Sequence, residues 1–174
     1  MSRSIKPTNR EVTFEDREFL VSKTDIKGRI TYVNQAFCRV SDYPEAELVG
    51  QPHSIVRHPD TPRAVFKLLW DTLGKGREAF VYLKNMSRTG DFYWVFAHVT
   101  PSFSNEGKIC GFHSNRRLPD RRIVEREIQS IYSVILEEEK KHRNGQESLA
   151  AGYELLNNLL LAKNVSYDEF IFSL

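Results

Sequence analysis

Residues 92–101, Phe-Tyr-Trp-Val-Phe-Ala-His-Val-Thr-Pro, constrain the fold more than any other stretch of the chain. Successive side chains of an extended strand point to opposite faces. Phe92, Trp94, Phe96 and His98 therefore share one side, and Tyr93, Val95, Ala97 and Val99 the other. Both sides are largely apolar, so the sheet that contains this strand must be covered on both faces.

Around that strand the pattern reads as short elements separated by turn residues. Residues 20–24 and 30–34 form a hairpin signal across Asp25-Ile26-Lys27-Gly28. Short helical pieces follow at 35–40 and 44–48, then a better-defined helix at 62–72, with Val65, Leu68, Leu69 and Thr72 on one face. Gly74 and Gly76 end it, and further strands are expected at 80–86 and 108–117. Two strands, a helical middle and three strands make an α+β domain built on an antiparallel sheet. Residues 1–14 mix charge with small polar side chains and are expected to be mobile until they meet the core or a partner.

From Asp120 the periodicity becomes helical. Val124, Ile128, Ile131 and Ile135 form one stripe, which suits either a partner helix or the chain's own domain. A polar break ends near Asn144-Gly145, and a second helix at 146–163 carries Leu149, Tyr153, Leu156 and Leu160. Ser166 and Glu169 match a capping box ahead of Phe170, Ile171 and Phe172. That much apolar surface predicts association, most simply as a homodimer.

Composition removes several classes of function. The net charge is only +2, with 25 Lys and Arg against 23 Asp and Glu, so no nucleic-acid partner is expected. The cluster Arg116-Arg117, Asp120-Arg121-Arg122 reads as a solvated strand-to-helix junction. No apolar run approaches the roughly 20 residues that span a bilayer, and there is no signal-peptide core, which points to a cytoplasmic protein without direct membrane insertion. Cys38 and Cys110 lie in apolar surroundings and are expected to be small buried thiols without a disulfide, and the five histidines are scattered with no metal-ligand spacing. No nucleophile elbow, phosphate loop or dinucleotide fingerprint is present, so the chain is read as a binding protein and not an enzyme.

The stretch Gly50-Gln51-Pro52-His53-Ser54-Ile55-Val56-Arg57-His58-Pro59-Asp60-Thr61-Pro62 sets three prolines among ionisable side chains. Proline fixes its own φ and biases its predecessor toward extended backbone, so this run is a semi-rigid loop that projects Arg57, His58 and Asp60. It suits either a ligand-contacting loop or a surface connection into the next helix. With Asp25 to Phe37, Ser41 to Pro52, Gly90 to Phe96 and Gly107 to Gly111, it resembles a PAS sensory domain over about residues 19–119. Gly-Gln-Pro-His-x-x-Val-Arg-His-Pro-Asp, with Trp70, Lys84-Asn85 and Tyr93-Trp94-Val95 downstream, is similar to the flavin-binding PAS modules of bacterial aerotaxis and energy-taxis receptors.

That resemblance implies a PAS fold, a five-stranded antiparallel sheet with flanking helices, followed by a helical extension at 120–174 and preceded by a segment at 1–18. It implies FAD, with Arg57 and His58 at the polar part of the cofactor and Asp60 on a ribose hydroxyl or on Arg57. Asn34 and Asn85 would read a ring edge, and Phe66 and Trp70 would supply stacking surface. Read alone, Asn34 can equally cap a helix, Phe66 and Trp70 can be core, and Asn85 can face solvent. At the position matching Ala79 the flavin-binding relatives commonly carry tryptophan; the neighbouring Phe80 should point to the opposite face. Haem is the alternative cofactor, with His58, His98 or His113 as axial ligand, and a cofactor-free interaction module is a third reading. The reactive cysteine of light-sensing flavin domains is absent from 57–61. The implied role is a redox or oxygen sensor that signals to a separate chemotaxis transducer or another signalling protein.

Overall fold

The computed structural model describes residues 5–174; the first four residues of the amino-terminal segment lie outside the described residues. The chain forms β1 (Leu20–Asp25), β2 (Ile30–Val33), α1 (Gln35–Ser41), α2 (Glu45–Leu48), a 3₁₀ turn (His53–Val56) and α3 (Arg63–Gly74). Then come β3 (Ala79–Met86), β4 (Phe92–Phe103) and β5 (Ile109–Arg117). The five strands make the one antiparallel sheet that the resemblance implied, in the order β2-β1-β5-β4-β3, which periodicity alone does not give. Local chemistry sets the early turns. Asp25 Oδ1 accepts from the N–H groups of Lys27 and Arg29, and Gly28 takes φ +75°.

The two apolar faces of β4 are covered by different parts of the chain. Tyr93, Val95 and Ala97 are fully buried on the face that α1, α2 and α3 approach. Trp94 and Phe96 lie on the other face, beneath the carboxyl-terminal helices. Those are α4 (Arg121–Ile123), a π turn (Val124–Ile128), α5 (Gln129–Lys140), α6 (Gly145–Lys163) and α7 (Tyr167–Phe172), the last opened by the expected Ser166–Glu169 capping box.

The extension's apolar stripe is used within the chain. Val124, Ile128 and Ile135 are buried and Ile131 partly so, packed against the sheet's core and α6. Tyr132 donates its hydroxyl to the Tyr82 carbonyl at 2.5 Å, and Phe172 meets Phe80 edge-on at 4.8 Å. Leu156 joins Ala64, Leu68 and Ile135 in a second apolar cluster. The surface from which the sequence reading drew a homodimer is thus occupied by the chain's own sheet and α3. A stripe of this kind fits a sheet face as well as a partner helix, and the sheet is joined to it by a short connection.

The described part of the amino-terminal segment is docked where mobility was expected. Val12 N–H donates to Phe92 O and Phe92 N–H to Arg10 O, while Asp91 accepts from the Thr8 hydroxyl and the Arg10 guanidinium. Buried Phe14 anchors the segment from the apolar side.

Candidate ligand cavity

Between the inner sheet face and α3 lies a cavity of about 270 Å³. Its walls are apolar on the helix side, from Phe66, Leu69, Trp70 and Leu73, and on the sheet side from Leu83, Val99 and Phe112. Strand alternation adds polar groups to the lining, spread across the sheet: Ser22 and Thr24 from β1, Ser114 and Arg116 from β5, and Asn85 from β3. His53 enters from the 3₁₀ turn, and Lys27, Gly28, Arg57 and the partly exposed Trp70 also line it. Trp70 packs edge-on against Phe112 at 5.3 Å.

Arg116 organises a polar cluster with Ser22 and His53. Its Nη1 donates to Ser22 Oγ at 2.9 Å and its Nη2 lies 2.8 Å from His53 Nε2, itself 3.1 Å from Ser22 Oγ. Arginine has no acceptor, so His53 Nε2 must accept and the imidazole is neutral. Burial, followed by the Arg116 charge, pushes His53 down to about 3. Burial also lowers Arg116, to about 10. No carboxylate lines the cavity, which therefore combines three cationic side chains, Lys27, Arg57 and Arg116, with no acidic counter-charge. Four buried polar atoms of lining residues lack partners: Thr24 Oγ1, Asn85 Nδ2, Ser114 Oγ and Arg116 Nε.

The structure divides the residues anticipated from sequence. Arg57, Phe66, Trp70 and Asn85 line the cavity together. The Arg57 guanidinium lies 4.1 Å above the Phe66 ring, and its backbone bridges to Asn85. Burial lowers the Arg57 pKa. Asn34 is elsewhere. Its Oδ1 accepts from Phe37 N–H and Val21 N–H and its Nδ2 donates to Phe19 O, so the helix-capping reading describes it fully. His58 is buried outside the cavity, edge-on to Phe92, with Nδ1 accepting from Asp60 N–H. Asp60 is exposed and paired with Lys84 Nζ at 2.7 Å. Past the 3₁₀ turn the proline-fixed loop runs along the free edge of β3, so of Arg57, His58 and Asp60 only Arg57 is turned inward.

Neither His58, His98 nor His113, the haem candidates, lines the cavity. His98 stacks on Phe80 at 4.3 Å and pairs with Glu78 on the opposite sheet face, where alternation also places Phe80 as expected. Ala79 is buried on the inner face.

Sequence reasoning missed His53, Ser22 and Arg116. The signal for Arg116 was there: Phe112, Ser114 and Arg116 fall on one strand face, while the basic cluster around it suggested a solvated junction. Arg116 is 3% exposed.

Residues 30–116 match the PAS fold family. The chain is 41% identical over 129 residues to the aerotaxis receptor of Escherichia coli (strain K12), covering 74% of this chain and 25% of that protein. It is 33% identical over 145 residues to the nitrogen fixation regulatory protein of Klebsiella pneumoniae, covering 83% and 26% respectively. The chain thus spans about a quarter of the length of these relatives. A solved light-oxygen-voltage domain studied with a flavin analogue superposes with TM-score 0.58 at 16% identity, over 66% of this chain and 87% of that one. The LOV domain of the Erythrobacter litoralis EL346 blue-light activated histidine kinase gives 0.53 at 20% identity, over 56% and 93%. At that identity the likeness concerns the fold, and it agrees with the strand order, the two covered faces and the sequence match: the chain belongs to the PAS-fold family.

Proposed function

We propose that the cavity binds a flavin non-covalently, in the form of FAD, and that the chain is a sensor reporting redox state to a separate signalling protein of the chemotaxis type. The observation that carries this reading is the set of four unpartnered buried polar atoms of residues that line a cavity with apolar walls. Each such group left unpaired costs about 1–3 kcal/mol. A flat apolar body with donors and acceptors on its rim satisfies both the apolar walls and these groups, and a flavin ring has that pattern. At about 270 Å³ the space lies just below the range of roughly 300–1,000 Å³ usual for ligand sites, so it suits a ring system whose remainder leaves through the mouth.

A bound flavin supplies reversible electron uptake, with a central ring nitrogen that accepts a hydrogen bond when oxidised and donates one when reduced. The protein's contribution is positional. Arg116, held by Ser22 and His53, and Asn85 offer donors to a ring edge. Leu69, Trp70 and Phe112 enclose the body, and the cationic Arg57 and Lys27 in the lining favour phosphate. Cys38 is half-buried and Cys110 exposed, so neither is the fully buried thiol expected, and neither is in the lining, which supports non-covalent binding. Among the described residues no helix is long and apolar enough to cross a membrane. The aerotaxis receptor and the nitrogen fixation regulatory protein are both named for signalling roles, which supports the sensor reading; the first supports taxis as its output.

The test is the absorption spectrum of gently purified protein and the identity of what denaturation releases. Flavin bands, FAD in the supernatant and loss of colour in Arg116→Met are expected. A Soret band, or a colourless protein that fails to take up added FAD, overturns the assignment.

A further inference from the structure

Glu139 lies on α5, yet its buried carboxylate serves α3. Oε2 accepts from Arg63 N–H at 3.1 Å and Oε1 from Ala64 N–H at 2.8 Å. Pro62, which precedes α3, offers no side-chain cap, so the first N–H groups of that helix are satisfied from a distant element by an anion, the charge that a helix amino terminus favours. The fit is close. A Cβ at Gly152 of α6 would fall 2.6 Å from Glu139 Cγ, so α6 approaches this carboxylate only because residue 152 has no side chain.

Two further bonds tie the same corner together: Ser148 Oγ donates to Glu139 O at 2.8 Å, and Arg63 Nη1 donates to Gly145 O at 2.7 Å. The amino end of α3 is therefore where α5 and α6 hold the sensor domain. The same helix presents Phe66, Leu69, Trp70 and Leu73 to the cavity. Arg57 touches both sides. It lies over Phe66 in the cavity wall, and it also shares an outer cleft with Arg63, Glu139 and Lys140, where the Glu139 charge opposes the lowering of its pKa by burial.

We infer that Glu139 is a positioning residue that couples the cavity face of α3 to the docking of the helical extension, so that an anionic ligand engaging Arg57 weakens the extension's hold. Arg57 shares the outer cleft with Glu139 without an ion pair, and an anionic group on the cavity side draws the guanidinium away from it, so occupancy loosens α5 and α6. Linkage requires the reverse as well: removing the Glu139 charge strengthens ligand binding by the same factor. For the FAD arm this rests on the flavin reading above.

The full chain carries two tryptophans, so Trp94→Phe leaves Trp70 as the only reporter on the cavity face of α3. In that background and without ligand, Glu139→Ala is expected to shift Trp70 emission and to raise amide exchange both at residues 63–70 and at 145–160. The exposed control Glu137→Ala should do neither. Gly152→Ala, which displaces Glu139 and leaves it charged, should act in the same direction. With FAD added, exchange across 129–160 should rise in wild type. Glu139→Gln, which keeps its acceptor oxygen, should bind FAD about three- to tenfold more tightly and lose most of that response. Unchanged Trp70 emission and unchanged exchange at 63–70 in Glu139→Ala overturn the coupling. So does an equal FAD affinity with an equal response in Glu139→Gln. A wild-type protein that takes up no FAD overturns the flavin reading alone, and the ligand-free measurements then decide the coupling by themselves.

Discussion

Arg116 donates through Nη2 to His53 Nε2 at 2.8 Å, and this contact makes the imidazole an acceptor that native protein must keep neutral. Folded His53 is held at about 3, below the ordinary value of 6.5. His58 is lowered in the same direction, to about 4, by burial and then by Lys84. Between the unfolded value and these folded values the unfolded chain binds protons that the native chain does not. Stability therefore rises with pH in that window and is lost as pH falls below about 6.5. The upper limit is about 1.4 kcal/mol per pH unit for each histidine. Denaturant melts between pH 7.5 and 4.5 should show this slope, and His53→Gln, which keeps an acceptor for Arg116, should remove its share. An unchanged slope in that variant means that His53 is not the titrating group.

The placement of the Arg57-His58 pair gives a sharp contrast. Arg57→Ala should weaken FAD binding roughly ten- to a hundredfold, the effect of losing a charge-assisted contact worth about 1.5–3 kcal/mol. His58→Ala should leave affinity within about twofold and instead lower stability, by the roughly 1–3 kcal/mol usual for a buried group that packs and accepts a bond. Fluorescence titration with FAD and thermal melts on both variants check this. Equal losses of affinity would place His58 in the site.

Much of this architecture was legible because alternation and turn chemistry act locally. The double-faced apolar pattern of Phe92–Phe103, the Asp25–Gly28 turn and the Ser166 capping box each report their surroundings within a few residues. The site was less legible because its polar lining is assembled from positions far apart in sequence: Ser22, His53, Asn85 and Arg116. Each of these looks ordinary alone. Asn34 and His58 illustrate the converse, since a motif that marks a family also contains residues that only shape the loop and cap the helix. The direction taken by the Val124–Ile135 stripe was open because a helix face does not encode whether its cover is a second copy or its own sheet.

That stripe yields a stability prediction. Ile128 is 2% exposed between the sheet and the extension. Ile128→Asp buries a carboxylate without a partner, and a loss of about 4 kcal/mol or more is expected. If the residue serves the internal core, the melting temperature of the variant falls by the same amount at all protein concentrations. A fall that shrinks as concentration rises would instead assign Ile128 to an interface between copies, the arrangement that the sequence alone suggested.

The last prediction follows Asn85 outward through β3. Its Nδ2 is buried without a partner in the cavity, while the preceding residue, Lys84, points the other way and pairs with Asp60. The free edge of β3 is held by two other parts of the chain. The Lys84 carbonyl accepts from Thr61 Oγ1 at 2.8 Å and from His58 N–H at 3.3 Å, and the Tyr82 carbonyl accepts from Tyr132 of α5. An amide has a donor end and an acceptor end, so Asn85 can follow a partner that changes from acceptor to donor by turning over. Movement of β3 with it would bear on the loop and on α5 together, biasing two arrangements of the extension. Hydrogen exchange on flavin-loaded protein should differ between oxidised and reduced samples at residues 79–86 and 129–140. Asn85→Ala has neither end of the amide, and Asn85→Asp has no donor when ionised, so both should lose at least half of that difference while still binding flavin. A redox difference of wild-type size in both variants removes Asn85 from the relay, and leaves α3 and its Glu139 cap as the route by which the cavity reaches the extension.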